Sequence, residues 1–445
     1  MMSPEQAREL ARAAVVMMPA DEAEALVAAE HSALTRFANN RITQNVAEHN
    51  ALVSVRAVLG RRVGVASTNR LDDASLRAAC EAAVRAARIA PEDPSFPGLP
   101  GPHRVETPDR TFAATRAFDA EARARVAGAI IEQSSERGLT AAGKVRAAEH
   151  TLAVANSLGV DVGMALTGAQ ATVLSMGSGS GSGWASFLDA DAAKLAPEAL
   201  GGVAADLAER SAEPGALDPG SYTVVLGPEA VADVLDFLAY VAFSAKAVVE
   251  ERSFMSGREG DRVMSELVSI ADDALATHAM GTTFDYEGQP RHRVPLVERG
   301  VVGLPVTDSY WAAKLGRKNT GHALPAPNSY GPMPLNIELA AGDATLDELI
   351  GSVTRGVYVT RFHYVNVEDP VSVLLTGMTR DGTFLIENGC LAAPLKNLRF
   401  TQSAVEALAG CKGITRDRSF VGTEESAVFA PALLLSSFAF TGQTA

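Results

Sequence analysis

A strand followed by a strongly apolar helix, in residues 224–254, restricts the fold of this chain more than any other stretch. The strand leads into a turn at Gly227-Pro228, and apolar side chains then recur every three or four residues, the spacing of a buried helical face. These side chains are Val231, Val234, Leu235, Leu238, Val241, Ala242, Ala245 and Val249. Because the opposite side is mostly apolar too, the sequence predicts one long core helix. Asp236 would be costly to bury there unless it is hydrogen-bonded or lies at an interface rim, and Tyr240, one turn later, is a candidate partner.

The rest of the sequence mixes helical and strand-like stretches without the regular alternation of a parallel α/β fold. Residues 4–30 are predicted to form an amphipathic helix. Two residue pairs, Asn39-Asn40 and Asn388-Gly389, are typical of tight turns between antiparallel strands. We therefore predict an α+β fold built from mixed helices and largely antiparallel strands.

The length of the chain predicts two domains, since 445 residues exceed the size at which one hydrophobic core keeps growing. The Pro- and Gly-containing stretch at residues 211–221 is the best boundary between them. An N-terminal α+β domain is predicted for residues 1–215. A C-terminal, strand-rich domain that carries the apolar helix is predicted for residues 220–445.

Charge and composition disfavour several classes of protein. The net charge of −14, with Lys and Arg thinly spread, disfavours binding to nucleic acid or to an anionic membrane surface. No apolar run approaches the roughly 18 residues that would span a membrane, and the N-terminus lacks the basic region of a signal peptide. The three cysteines, Cys80, Cys390 and Cys411, show no CxxC spacing, which fits a reducing compartment. We expect a cytoplasmic protein without nucleic-acid or membrane partners.

Residues with catalytic chemistry are sparse. No two of the eight histidines lie within five residues of each other, so no single helix can present a histidine pair to zinc. Cys390 follows a predicted hairpin turn and has no base near it in sequence, so a packed or idle thiol is favoured over a nucleophile.

The loop at residues 314–336 has the most functional character, because it concentrates Gly, Asn, Pro, His and Tyr. Within it, Asn319, Thr320, Gly321 and His322 are candidate contacts for a substrate or a second subunit. The alternative is a long connection that is held in shape by its Pro and Gly residues, and the sequence favours neither interpretation.

Several stretches, in order along nearly the whole chain, resemble the TldD/PmbA family, whose members are also described as modulators of DNA gyrase. They include "SALTRFANNRITQN", "YTVVLGP", "SFMSGREGDRVMSELVSIADDA", "TTFDYEGQP", "DSYWAAKLGRKNTGHALP", "GVYVTRF" and "TFLIENG". The resemblance implies paired cytoplasmic subunits of a peptidase. The TldD-type subunit carries HExxxH on the helix after the "VVLGP"-like strand and a cysteine near the C-terminus, which together hold a catalytic metal. The PmbA-type subunit, also called TldE, lacks these residues.

Aligned with that pattern, this chain has Asp236 and Val241 in place of the two histidines and Phe237 in place of the glutamate. The C-terminal cysteine would fall within residues 420–429, which contain none, and Cys411 lies too far upstream. A catalytic zinc normally needs three protein ligands and one open position. The resemblance thus implies a PmbA/TldE-like chain with no catalytic residue and no metal of its own, and a zinc ion only in a TldD-like partner.

The resulting hypothesis is a non-catalytic subunit that pairs with a TldD-like metallopeptidase and helps to enclose a peptide or an unfolded protein segment. One alternative is a stand-alone homodimer that binds peptides without protease activity. A third interpretation is a hydrolase whose site is built around His322 or Cys390. The acidic charge gives no support for direct DNA contact, so any link to gyrase is expected to be indirect.

Overall fold

Two β-sheets organise the chain in the structure, a computed structural model that describes residues 2–423 and 426–444. Within these residues, strands and helices are mixed and most strand pairs are antiparallel, which confirms the predicted α+β class. The first sheet is formed by residues from the first half of the chain and the second by residues from Gly220 onward. No helix in the described part of the chain is both long enough and apolar enough to cross a membrane.

The first sheet is fully antiparallel and has the strand order β3-β2-β1-β4-β5-β6. Its strands are β1 (Glu22–Ala38), β2 (Arg41–Leu59), β3 (Arg62–Thr68), β4 (Thr140–Asn156), β5 (Asp161–Met176) and β6 (Ser182–Asp189). The helices of this half are α1 (Pro4–Met17), α2 (Asp73–Ile89), α3 (Ala113–Arg116), α4 (Ala120–Ser135) and α5 (Pro197–Arg210). The predicted turn between β1 and β2 is confirmed, because Asn39 and Asn40 both have positive φ angles, of 51° and 56°.

The N-terminal helix is shorter than predicted. Ser3 and Gln6 form a capping box at the start of α1, and the helix ends before Pro19. Residues 22–30, predicted as helix, belong instead to β1. This strand lies between β2 and β4 with both faces covered, so its apolar residues do not alternate with polar ones and resemble a helical pattern.

The second sheet contains the remaining strands. They are β7 (Gly220–Leu226), β8 (Ile270–Asp272), β9 (Val294–Glu298), β10 (Val301–Val302), β11 (Ile337–Leu339), β12 (Arg355–Asp369), β13 (Leu374–Glu387), β14 (Cys390–Pro394), β15 (Leu398–Ser403), β16 (Cys411–Gly422) and β17 (Ala427–Gln443). The helices of this half are α6 (Pro228–Val241), α7 (Ala245–Val249), α8 (Ser309–Leu315), α9 (Leu346–Gly351) and α10 (Ala404–Ala409). The predicted hairpin between β13 and β14 is confirmed, with Asn388 and Gly389 at positive φ.

Part of the second sheet closes on itself. Strand β7 pairs with β12 on one side and with β17 on the other, and β13 and β15 complete the path from β12 to β17. Helix α6 packs on β12 and β17, where its Leu235 and Leu238 share one apolar core with Phe362, Phe400 and Phe438. The central strand and helix predicted from residues 224–254 therefore do form the core of the second half.

Candidate functional site

The start of α6 is held firmly by the strand beside it. The backbone N–H of Gly227 donates a hydrogen bond to the carbonyl oxygen of Val359 (2.8 Å) in β12. A Cβ atom at Gly227 would lie only 3.0 Å from the carbonyl oxygen of Thr360, so glycine permits this close approach. Pro228 occupies the first helical turn, where its missing N–H costs nothing. The sequence thus fixes the position of α6 relative to β12.

Helix α6 is shorter and less uniformly apolar than predicted. It ends at Val241, and after a break the short α7 follows, so the predicted single long helix is wrong. The buried face consists of Ala230, Val231, Ala232, Val234, Leu235, Leu238 and Ala239. A second face carries Glu229, Asp233, Asp236 and Tyr240, spaced by three or four residues so that they project on the same side. We call these four residues the polar face of α6.

The first residue of the polar face connects α6 to the first sheet. Glu229 Oε1 accepts hydrogen bonds from Trp184 Nε1 (3.3 Å) and from the Ser186 hydroxyl, both in β6. The guanidinium of Arg361 lies 4.2 Å from the centre of the Trp184 ring, and its Nε donates to Asp381 Oδ2 (2.8 Å). The contacts between the two sheets at this point are therefore largely polar.

Asp233 is the most perturbed carboxyl group of the polar face. Loss of solvation on burial, together with the negative charges of Glu229 and Asp236, raises the pKa of Asp233 to about 7. The positive charge of Arg361 and a hydrogen bond from the backbone of Phe362 oppose this shift without cancelling it. Asp233 thus changes its charge near neutral pH.

Asp236 and Tyr240 lie toward the end of α6 on its accessible side. Although Asp236 is exposed, crowding by its surroundings removes part of its hydration and raises its pKa. Tyr240 is 52% exposed, and its ring lies 6.1 Å from that of Tyr330. Among the described residues no hydrogen bond joins Asp236 to Tyr240, so the predicted partnership of these two side chains is wrong.

The positions aligned with HExxxH do not fit a catalytic metal. Phe237 and Val241 are partly buried and pack against the apolar core of the second half, and neither side chain has an atom that can bind zinc. Asp236 alone supplies one carboxylate where about three ligands are needed. In residues 2–423 and 426–444, no group of three His, Cys, Asp or Glu side chains is arranged to hold a metal ion.

The segment aligned with the C-terminal cysteine, residues 420–429, includes the end of β16 and the start of β17. Phe420 and Phe429 stack with ring centres 4.3 Å apart. Glu424 and Glu425, within this segment, lie outside the described residues. Cys411, at the start of β16, is buried, and burial raises the pKa of its thiol to about 11, which disfavours the thiolate that a metal requires.

The loop residues proposed from sequence have well-defined positions. Asn319 Nδ2 donates to Ser309 Oγ (3.0 Å), and Thr320 Oγ1 exchanges hydrogen bonds with Thr307. Gly321 has a φ of +73°, and a Cβ atom there would lie 2.2 Å from the carbonyl oxygen of Pro290, so only glycine fits. These contacts account for the polar and glycine-rich sequence of the loop.

His322 is fully buried, with Nε2 2.9 Å from Asp272 Oδ1 and Nδ1 2.9 Å from Thr320 Oγ1. Burial lowers the pKa of His322 in spite of the adjacent Asp272. Thr320 lines a cavity of about 1040 Å³, beside His292 and Lys318. Cys390 lies elsewhere, exposed at the first position of β14. A role of the loop in substrate or subunit contact remains a prediction.

Two family models match this sequence. The model of the PmbA/TldA metallopeptidase C-terminal domain matches residues 219–442, about half of the chain, and that of PmbA/TldA metallopeptidase domain 1 matches residues 23–87. The chain belongs to the PmbA/TldD family. The matched C-terminal domain contains β7, α6 and the closed part of the second sheet.

Curated relatives of this PmbA/TldD chain carry metalloprotease names. A metalloprotease of Methanothermobacter thermautotrophicus is 27% identical over 202 residues, which is 44% of this chain and 43% of that protein. A metalloprotease TldD homologue of Buchnera aphidicola subsp. Acyrthosiphon pisum is 31% identical over 159 residues, or 35% of this chain and 32% of that protein. The matched part of the chain thus spans less than half of the length of these relatives.

A solved structure matches the PmbA/TldD chain over its whole length. TldE from Thermococcus kodakarensis superimposes with a TM-score of 0.89 and 20% identity, covering 98% of this chain and 99% of that one. At this level of identity the likeness establishes the fold.

Sequence reasoning missed two features of the PmbA/TldD chain that carry charge. Asp233 was not singled out, although the spacing of Glu229, Asp233 and Asp236 was a readable sign of a polar helical face. The second feature is a buried ion cluster in which Arg56 contacts Glu24 (2.8 Å) and Glu287 (3.2 Å). Glu24 and Arg56 face each other across the β1–β2 hairpin, but Glu287 comes from the second half of the chain, so no local pattern could have indicated the full cluster.

Proposed function

We propose that this chain is the metal-free, TldE-like subunit of a two-subunit peptidase, in which a TldD-like partner carries the catalytic zinc. The observation that carries the proposal is the chemistry of α6, where Asp236, Phe237 and Val241 stand at the positions of the metal motif. Phe237 cannot activate water and Val241 cannot bind zinc. The chain alone therefore lacks the parts of a metallopeptidase, while it retains the helix on which such a site is built.

The polar face of α6 supports a role for this helix in enclosing substrate. Asp236 and Tyr240 remain accessible, and Tyr330, 60% exposed, extends the aromatic surface beside them. Tyrosine side chains offer a large contact area together with a hydroxyl group for hydrogen bonding, which suits extended peptides of varied sequence. In this proposal α6 forms part of the wall of a peptide-binding chamber whose reactive metal belongs to the partner.

Co-purification with metal analysis tests the partnership. The full chain would be produced alone, and also together with an HExxxH-bearing relative from the same genome, and each preparation would be assayed for bound zinc and for cleavage of an unstructured peptide. We expect the chain alone to show neither, and the pair to form a stoichiometric complex with about one zinc ion. A lone chain that binds stoichiometric zinc and cleaves the peptide would overturn the proposal. A stable homodimer that ignores the relative would favour the peptide-binding alternative.

A substitution on the polar face tests the proposed chamber wall. Tyr240→Ala in the complex is expected to raise KM for peptide more than it lowers kcat, because it removes substrate contact but no reacting group. Ile89→Ala serves as the matched control, since Ile89 is 87% exposed on α2 in the first half of the chain. Equal effects of the two substitutions on KM would contradict the role of α6.

A further inference from the structure

The outer side of β2 is unpaired over more than half of its length. On its inner side, β2 (Arg41–Leu59) pairs with β1 along nearly the whole strand. On its outer side, β3 pairs only with residues 53–59. Within residues 2–423 and 426–444, no strand and no other backbone group is hydrogen-bonded to the outer side of residues 41–52. A long row of backbone donors and acceptors therefore faces solvent at this side of the first sheet.

Residues 44–52 form the regular part of this unpaired side. Their register with β1 is uninterrupted, because the one shift in the β1–β2 pairing lies between Arg36 and Phe37, next to Thr43. Most of their side chains are exposed on both faces of the strand, so the described chain does not cover them. In an antiparallel strand the backbone groups of alternate residues point to opposite sides, so about half of these residues direct their N–H and C=O groups outward. We call residues 44–52, which span about 30 Å, the free edge of β2.

The free edge of β2 lacks the features that usually protect an unpaired strand. Proteins prevent unwanted pairing at such edges with proline, lysine or bulges, or cover the edge with another element. The free edge contains neither proline nor lysine, and its register is regular. At the opposite edge of the same sheet, by contrast, β6 is packed against β13 and β16 of the second half. The free edge of β2 therefore has the properties of a surface that pairs with a strand of another polypeptide.

The position of the free edge favours a subunit over a substrate as its occupant. In the strand order of the first sheet, β2 lies four strands away from β6, which corresponds to about 19 Å. Glu229, at the start of the polar face of α6, contacts β6 through Trp184 and Ser186. The helix proposed as the chamber wall thus meets the first sheet at its far side. A substrate bound along α6 would not need the free edge of β2.

We propose that the free edge of β2 pairs in antiparallel orientation with the corresponding strand of the TldD-like partner, so that the two first sheets join into one. This inference rests on the proposed function. The model of PmbA/TldA metallopeptidase domain 1 matches residues 23–87 and includes β2 and β3, so a partner with the same domain would carry the same edge. Related subunits commonly associate through the same surface on both, around a two-fold axis.

This pairing also fixes which parts of the two subunits lie on the same side. Antiparallel pairing across an edge relates the two strands by a two-fold axis perpendicular to the sheet. In this chain Ala25 and Val27 of β1 pack with α1 and α2 on one face of the first sheet, whereas Leu26 packs with Phe284 on the other. The joined sheet would therefore carry the helices of both subunits on one face and both second halves on the other. Two second halves on one side are what a shared peptide chamber requires.

Hydrogen exchange of the wild-type chain, as a monomer and in complex with the HExxxH-bearing relative, tests the proposal. The outward-directed amides of residues 44–52 should exchange at least about tenfold more slowly in the complex, because pairing protects them from water. Unchanged exchange in a complex that does form would overturn this inference and leave the proposed function intact. Absence of any complex would overturn both. Slower exchange on addition of an unstructured peptide, and not of the relative, would assign the edge to substrate and would also overturn the inference.

Proline substitutions test the contribution of the edge to affinity. Because neighbouring N–H groups point to opposite sides, one of Ala47→Pro and Glu48→Pro removes an outward N–H and keeps the hydrogen bonds to β1. That variant, recognised by a melting temperature close to that of the wild type, should weaken the complex at least about tenfold. Ala74→Pro is the matched control, since Ala74 is exposed in the first turn of α2, where proline is tolerated. A folded edge variant for each position with wild-type affinity would refute the pairing, and the exchange experiment decides the matter if neither variant folds.

Discussion

Replacing Asp233 by asparagine is expected to stabilise this protein at neutral and alkaline pH. Asp233 is mostly buried on α6, and desolvation, Glu229 and Asp236 all disfavour its ionised form. Asparagine has nearly the same shape and keeps an oxygen that can accept from the backbone of Phe362, but it carries no charge. The substitution should therefore remove an electrostatic cost without creating a cavity.

The size of the effect follows from the difference in pKa between the folded and unfolded chains. The pKa of Asp233 is about 7 in the folded chain and that of an aspartate in an unfolded chain is about 3.9. Because the folded pKa is the higher one, the wild-type chain is relatively most stable below about pH 4, and it loses stability as the pH rises toward 7. Above pH 7, ionised Asp233 lowers the free energy of unfolding by at most roughly 4 kcal/mol. Since the carboxyl group keeps some contact with solvent, we expect about 2–4 kcal/mol.

Urea denaturation at about pH 5 and about pH 8 would measure this cost, because only part of it has developed at the lower pH. At each pH, the gain is the free energy of unfolding of Asp233→Asn minus that of the wild type. This gain should be about 2 kcal/mol larger at about pH 8 than at about pH 5. Asp218→Asn, at an exposed aspartate, is the matched control and should show no such pH-dependent gain. A gain that is the same at both pH values would refute the reasoning, since it would show that Asp233 is already ionised at low pH in the folded chain.

Two further substitutions test the buried charges. Arg56→Met should destabilise the chain by about 3–5 kcal/mol, because Glu24 and Glu287 are left buried without a counter-charge. Urea denaturation would measure this loss of stability. Combining Arg56→Met with Glu24→Gln should recover part of the stability, and no recovery would contradict the role of the ion cluster. His322→Leu should cost about 3 kcal/mol or more by leaving Asp272 buried with one partner fewer, and a loss below about 1 kcal/mol would show that this pair does not stabilise the fold.

Local sequence signals were enough for much of the fold, where backbone chemistry decides the structure. The pairs Asn39-Asn40 and Asn388-Gly389 could be assigned to turns because their residue types tolerate positive φ angles. The α+β class followed from the irregular order of helical and strand-like stretches. By contrast, residues 22–30 could not be distinguished from a helix, since a strand buried on both faces loses the alternation that identifies strands.

The end of α6 shows a different limit of sequence reasoning. The apolar spacing continues beyond Val241, yet the helix ends there, and Ser244 forms a backbone bridge with Val306 before α7 begins. That bridge is a contact between distant segments, and the periodicity of residues 224–254 contains no sign of it. The ion cluster around Arg56 was missed for the same reason, since Glu287 reaches Arg56 only when the second half of the chain packs on the first sheet.

The polar face of α6 is best understood as a conflict between stability and function. A leucine or alanine at Asp233 would satisfy the packing of a core helix, and the carboxylate that stands there instead costs the folded state free energy near neutral pH. Proteins depart from such local rules mainly at functional sites, where the loss of stability is offset elsewhere. On α6 two residues aligned with the metal motif, Phe237 at the glutamate and Val241 at the second histidine, pack against the core, whereas Asp233, Asp236 and Tyr240 are polar. The part of this helix that conflicts with stability is thus the face that we propose for the peptide chamber, and the pH dependence of Asp233→Asn measures how strong that conflict is.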